Sequence, residues 1–371
     1  MVVTPAAMRF LVAGLVLIAL GIGLTEYSRR TADAPLPGNV KKKRPAAVTP
    51  PSTKALIETV AAQPDAPADS AAFTKAISSV ASDAKADGFT TVMSGAFTVR
   101  DLTSGARFAV AVVTAGGATG LVRLGGDAPA APLVARTGAM TAVAIDGETV
   151  WWAEGNRVFS VGADGTVQVK TQFATAQVSG LAAHDGLVIA TLVPKDGDPF
   201  STDATGAVVK LEPGGTASLV ASEQVRPHDV LIHGSDVFFI AGYPSALVRA
   251  ALDGSFSAQI SERADGPLSF DGEGLVHRVP QSGSPELRRV APAGGGQVTL
   301  ARGDVDWLAA ANGVTRYTTV GIGARLYEVS AGQDPKEVVA LKGVGRGVAM
   351  AGEHVVFAAT GDDGASVVRV K

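Results

Sequence analysis

Residues 141–167 read TAVAIDGETVWWAEGNRVFSVGADGTV. Three short apolar runs, AVAI, VWWA and RVFSV, are divided by Asp146-Gly147 and Gly155-Asn156. Such dipeptides between apolar runs are hairpin signals, because both central residues of the tight turn need positive φ. The adjacent Trp151 and Trp152 admit two readings: aromatics held out for a ligand, or one copy of a repeated structural position. The turn decides between them. The equivalent glycine recurs as Gly186, Gly234, Gly272, Gly313 and Gly352, with an earlier Gly105, at intervals of 38 to 48 residues. Seven units with a mean period of about 41 residues make this a repeat protein.

Each unit follows one plan. An apolar strand precedes the glycine (Val143-Ala144-Ile145, Val230-Leu231-Ile232, Val348-Ala349-Met350) and a second follows it (150–153, 237–240, 355–358). A third lies beyond a short loop (157–161, 207–211, 246–250, 325–329, 366–370), and a weaker fourth closes most units (217–221, 297–300, 337–341). Four short strands per unit predict an antiparallel meander. An α-solenoid of similar period is excluded by the absence of helical spacing. The expected fold is therefore all-β: a propeller of about seven four-stranded blades over residues 89–371. The first unit, 98–135, is the least regular, which leaves six or eight blades open.

The seventh unit ends at Lys371 with only three strands, and residues 89–94, FTTVMS, are expected to supply the fourth. Ring closure of that kind removes the open sheet edges that invite aggregation. On period and turn chemistry, residues 89–371 resemble the bacterial extracytoplasmic propellers of the TolB, NHL and YVTN-repeat kind. The Trp-Asp and Gly-His signature of WD repeats is missing, as are the tryptophan docking motifs of quinoprotein dehydrogenases. The resemblance implies an architecture rather than a particular activity. Aligned on their turn glycines, Trp151 shares a column with Phe238, Val276 and Val356, and Trp152 one with Phe239, His277 and Phe357. Both columns are largely apolar, so the tryptophans are expected to pack between blades.

Before residue 89 the chain changes character. Residues 10–24, FLVAGLVLIALGIGL, are uncharged and apolar. As a helix they span about 22 Å at about 1.5 Å per residue, short of a bilayer core of about 30 Å. The segment over 1–27 thus suits a signal-peptide core or a short anchor completed by Thr25–Tyr27. A cleavage site at Ala32-Asp33-Ala34 would be followed at once by Pro35, which favours an uncleaved inner-membrane anchor over secretion after cleavage. Arg29, Arg30 and Lys41–Arg44 follow the run, and a literal positive-inside count would keep the C-terminal side in the cytoplasm. The early position of the run favours export, with the globular part in the periplasm. Residues 28–69, rich in Pro, Ala and Lys, are expected to be a disordered tether. Residues 70–88 should form an amphipathic helix with Phe73, Ile77, Val80 and Ala84 on one face.

Composition narrows the function classes. Cysteine is absent from the 371 residues, which removes disulfides, thiolate catalysis and zinc–cysteine sites. The formal net charge is −3, divided as 10 basic against 7 acidic residues over 1–87 and 22 against 28 over 88–371. An acidic globular part argues against a nucleic-acid partner. No GxSxG elbow, P-loop or HxxxH pair occurs, so no catalytic residues are assigned.

In propellers the loops between second and third strands, and those between blades, share a face around the channel mouth. Two features map there. The segments joining blades carry Arg136, Arg226, Arg263, Arg302 and Arg346, together with His228, Asp229, Asp265, Asp304, Asp306 and Trp307. The arginines are expected either to ring the mouth and bind a carboxylate, a phosphate or an acidic partner, or to pair with nearby aspartates and staple blades together. The second feature is the loop 194–206, whose Asp196, Asp198 and Asp203 lack the glutamate and the ligand spacing of a calcium loop. It reads as a solvated insertion. The expectation is a membrane-tethered, non-enzymatic module that binds a protein partner in the bacterial envelope, with no cofactor. Two alternatives stand beside it. One is a Ca²⁺-dependent hydrolase or lactonase using Asp229, Asp265, Asp304 and Asp306; the other is a sensor of a small anionic ligand.

Overall fold

In several repeats the second strand is strongly apolar and deeply covered. Leu187–Pro194, Asp236–Ala241 and His354–Gly361 are buried along most of their length. A strand in mid-blade has a neighbouring blade on each face, so both sets of alternating side chains leave water. The outer strands Ser257–Glu262 and Lys336–Leu341 are largely exposed. The computed structural model describes residues 52–62, 70–78, 85–86, 88–125, 129–195, 204–280, 285–303, 305–321, 323–362 and 364–370. The apolar run 10–24, most of the expected tether, and Asp196, Asp198, Asp203 and Asp304 lie outside them. Among the described residues no helix is long and apolar enough to cross a membrane.

Seven antiparallel sheets radiate from inner strands at Thr98–Thr103, Ala142–Asp146, Ala176–His184, His228–His233, Asp265–Phe270, Val305–Ala311 and Val344–Ala351. The seven turns that set the repeat period all join inner to second strands. Blade 7 closes as expected: Phe89–Gly95 pairs with the last strand, Gly364–Val370, from Phe89 opposite Val370 to Gly95 opposite Ala365. The approach at that end requires glycine. Gly364 has φ +114°, and a Cβ there would strike the carbonyl of Gly95.

The core is divided into seven clusters, one in each seam. Phe108, Val143, Trp152 and Phe159 fill the seam between blades 1 and 2. Ala153, Val178, Val188 and Leu192 fill that between 2 and 3. Successive residues of a strand therefore serve different seams. Trp152 is fully buried and stacks on Phe159 at 5.2 Å, whereas Trp151 packs on the opposite side against the next cluster. Phe238 and Phe239 divide in the same way between the two seams that flank blade 4. The tryptophan pair is a structural column.

Hydrogen bonds cross the seams as well. Met350 N donates to Ser104 Oγ at 2.9 Å, joining blade 7 to blade 1. The Asp146 carboxylate accepts from the backbone N–H groups of Asp185 and Gly186.

The segment before the ring differs from expectation in two places. Helix α1 (Thr53–Ile57) lies within the expected tether, yet Leu56 is fully buried in the seam between blades 2 and 3. Thr175 Oγ also donates to the Ala55 carbonyl at 2.7 Å. Burying one leucine stabilises by about 1.5–3 kcal/mol, enough to dock a short stretch. Helix α2 (Ser70–Ser78) is shorter than the 70–88 expected, and Lys85–Ala86 instead pairs with Phe89 and Thr90 as a strand. Asp87-Gly88 is a hairpin signal of the same kind as Asp146-Gly147, and Gly88 takes φ +85°. Phe73 and Ile77 are buried against blade 1, the Phe73 ring lying over Gly120.

Candidate functional site: the channel mouth

Regular pairing breaks at the same place in six of the seven inner strands. The register against the second strand shifts between Val99 and Asp101, Val178 and Gly180, His228 and Leu231, Asp265 and Ser269, Val305 and Leu308, and Gly345 and Gly347. Only the inner strand of blade 2 pairs without a shift. A bulge frees one or two residues from the ladder and re-aims their side chains. Here those residues include Arg100, Ser179, Asp229, Asp306, Trp307 and Arg346. All six lie at the end of the inner strand where the chain arrives from the preceding blade. A cavity of about 920 Å³ opens there, lined among others by Arg100, Asp101, Ser179, Asp229, Trp307 and Arg346. That volume falls in the range of small-ligand and side-chain pockets.

The charges around this mouth are poorly compensated from within. Arg346 is exposed and has no hydrogen-bond or ion-pair partner among the described residues. Arg100 is exposed and donates only from Nε to Thr114 Oγ1, at 3.0 Å. Asp101 Oδ1 accepts from the adjacent Leu102 N–H at 2.8 Å. Burial pushes the Asp101 carboxyl up to about 6, against the lowering effect of that hydrogen bond, and the charge of Asp229 adds to the rise. Two carboxylates on opposite sides of the ring thus lie within each other's field. Asp229 has φ +45° and hydrogen-bonds to His228 Nδ1 at 2.5 Å. Its carboxylate occupies the space that a Cβ on Gly266 would need, so only glycine at 266 admits it.

The ring of arginines expected from the sequence does not form. Arg136 and Arg302 are the last residues of the outer strands of blades 1 and 5, and Arg226 and Arg263 directly follow those of blades 3 and 4. The connection to the next blade begins at the outer edge, so these four sit at the periphery. Arg136 is buried in an ion pair with Glu154, Nε to Oε1 at 2.5 Å and Nη2 to Oε2 at 3.1 Å, and its guanidinium lies 4.6 Å from the Phe159 ring. It staples blade 1 to blade 2. Arg302 is exposed and stands 3.8 Å from Glu286. Arg263 borders a peripheral groove with Tyr243, Glu223 and Glu262. Of the five arginines, only Arg346 reaches the channel. Arg100 and Asp101 were not singled out from the sequence, although they stand as adjacent opposite charges in the inner strand TVRDLT. Aligned on the turn glycines, the positions five to seven residues upstream hold Arg100, Ser179, Asp229, Pro267, Trp307 and Arg346, and that column marks the mouth.

Two of the carboxylates proposed for calcium, Asp265 and Asp306, face a guanidinium instead. Arg278 Nη2 contacts Asp265 Oδ2 at 2.9 Å, and its Nη1 stands 4.0 Å from Asp306 Oδ1. Nη1 also donates to the carbonyls of Val305 and Asp306, at 3.2 and 3.3 Å. A guanidinium therefore takes the place between the two carboxylates that a metal ion would need. Among the described residues no three His, Asp or Glu side chains are gathered closely enough to hold a metal. His184 and His233 are on the opposite face, where His184 Nε2 lies 3.6 Å from Asp185 and His233 packs on Phe270.

No family model matches the sequence, and no curated protein matches it. Solved structures match the fold. Oligogalacturonate lyase in complex with manganese superposes with a TM-score of 0.58 at 10% identity, over 79% of this chain and 95% of that one. The β-propeller domain of Cps50 (Swd1) from Myceliophteria thermophila gives 0.56 at 15% identity, over 76% and 98%. Acylaminoacyl peptidase in complex with a chloromethyl ketone gives 0.56 at 12%, over 74% of this chain and 51% of that one. The chain is a seven-bladed β-propeller. At these identities the likeness shows the fold alone, and the function has to be argued from the mouth.

Proposed function

We propose that this protein is a non-enzymatic interaction module that binds a protein partner with the face around the channel mouth. The observation that carries the reading is the distribution of exposed apolar side chains. Tyr243 is 70% exposed and Val320 60%. Both lie in loops between second and third strands, which share the face of the mouth. Val344 at the start of an inner strand and Val60 beside a blade connection are on the same face and also exposed. Large apolar groups in water around a charged centre are the composition of a recognition surface. In keeping with the sequence, we place the anchor at residues 10–24 in the bacterial inner membrane and the propeller in the periplasm.

A photo-crosslinking residue at Tyr243, with the same residue at Phe256 on the opposite face as control, tests the surface in the full chain. A discrete adduct from position 243 and none from 256 is expected; equal adducts, or none from 243, would sink the reading. Fusion of alkaline phosphatase after Lys371 tests the placement, and an inactive fusion would refute it. A second reading, a sensor of a small anionic ligand, draws on the two arginines at the mouth. The surrounding apolar side chains favour the protein partner.

A further inference from the structure

The mouth has charges of both signs, and they are arranged by depth. Arg100 and Arg346 are exposed on the adjoining inner strands of blades 1 and 7. Asp101 and Asp229 are half-buried within the same cavity, and Asp101 is covered deeply enough for its carboxyl to resist ionisation. The arginines lack an acidic partner among the described residues. The aspartates lack a lysine or arginine partner, Asp229 having only the imidazole of His228. Elsewhere acid–base pairs are closed within or between blades, as in Arg136–Glu154, Arg249–Asp236 and Arg316–Glu328. Arg346 and Asp229 stand on blades 7 and 4, and Arg100 and Asp101, adjacent on blade 1, form no ion pair with each other.

We propose that the mouth is a socket for the C-terminal residue of the partner when that residue is lysine or arginine. The inference rests on the interaction reading given above. The free carboxylate meets Arg100 and Arg346 at the rim, where an arginine fork matches carboxylate geometry. The basic side chain descends towards Asp101 and Asp229 and supplies the cation that this pair lacks. Its alkyl stem passes Trp307, Val230 and Leu308, which line the same cavity. A ligand with only one of the two charges would leave either the arginines or the aspartates desolvated and unpaired, which is where discrimination originates. The apolar groups outside the mouth, Tyr243, Val320 and Val344, are then free to contact the chain that leads to the terminus.

The test uses the full chain and fluorescein-labelled hexapeptides read by anisotropy. Peptides ending in a free-carboxylate lysine are expected to bind. Their C-terminal amides and the same peptides ending in glutamate are expected to bind at least tenfold more weakly. Asp229→Asn should remove the preference for lysine, and Arg346→Gln the preference for a free carboxylate, with melting temperatures showing that both variants remain folded. Equal binding of acid and amide, or no binding of any peptide, overturns the socket. If unlabelled L-lysine competes as well as the unlabelled peptide, the partner terminus is overturned in favour of a free amino acid. The two proposals fail separately: crosslinks at position 243 that persist while every peptide fails to bind would leave the interaction reading standing and the socket refuted.

Discussion

The seam between blades 1 and 2 and the channel mouth use the same residue types to opposite ends. In the seam, Arg136 and Glu154 are both nearly buried. The pair is completed by Trp152 Nε1, which donates to Glu154 Oε1 at 2.9 Å, and the Phe159 ring lies beneath the guanidinium. Donors and acceptors are matched inside the protein, and nothing is left for a ligand. At the mouth, Arg346 has no hydrogen-bond or ion-pair partner among the described residues, and Arg100, Asp101 and Asp229 are met only by Thr114 Oγ1, the Leu102 N–H and the His228 imidazole. A charge satisfied internally gives cohesion, whereas a charge left partly unsatisfied stores free energy that an incoming group can release.

The contrast is broken most directly at the seam. Replacing Arg136 with Ala strands the Glu154 carboxylate in the interface, and loss of one member of a buried pair costs about 3–5 kcal/mol. Chemical denaturation of Arg136→Ala should show a loss of this size. A loss below about 1 kcal/mol would mean that water reaches the seam and that the two regions do not differ in kind.

Much of this contrast was invisible in the sequence, for a definite reason. The Asp146-Gly147 turn and its copies fixed the period, the strand count and the tryptophan columns, because hairpin chemistry is local and repeats. The closing strand followed from counting: three strands at Lys371 and an unpaired apolar run at 89–94. Side-chain direction in the inner strands was not legible, since alternation assumes regular pairing and a bulge changes the face that follows it. Arg100 therefore read as part of an irregular first unit, and Arg136 and Arg302 read as mouth residues although they end outer strands. The pairing of Arg136 with Glu154 joins residues of different blades, and no local pattern encodes it.

At the mouth the predicted effect is smaller and of opposite sign. The Asp101 carboxyl titrates near 6 in the folded protein against 3.8 for the free side chain. The folded state thus holds this proton more tightly than the unfolded state, and stability falls as pH rises from about 4 to 6. Above that window the ionised carboxylate carries a standing cost, which Asp101→Asn removes. At pH 8 the variant should be more stable than wild type by about 1–3 kcal/mol, since a tenfold difference in proton affinity corresponds to about 1.4 kcal/mol. The difference should shrink to about 0.5 kcal/mol at pH 4 and vanish below the free-side-chain value of 3.8. Equal stability at both pH values would show that Asp101 is already satisfied and would remove it from the group of uncompensated charges.

The smallest effect belongs to Arg302, which has the same topological position as Arg136. Each is the last residue of an outer strand. Facing Arg136, the second strand of blade 2 ends in Glu154; the corresponding strand of blade 6 ends in Thr319. Without an acid across the seam, Arg302 turns back to Glu286 of its own blade at 3.8 Å and stays in solvent. An exposed contact of that kind is worth little. Arg302→Ala should therefore shift stability by no more than about 0.5 kcal/mol. If the acid across the seam is what makes a staple, Thr319→Glu in the wild-type background should make Arg302 matter. Removing Arg302 from that variant should then cost more than removing it from wild type, in a double-mutant cycle read by denaturant unfolding. Additive single effects would mean that the burial supplied by Trp152 and Phe159, rather than the acid, is what sets Arg136 apart.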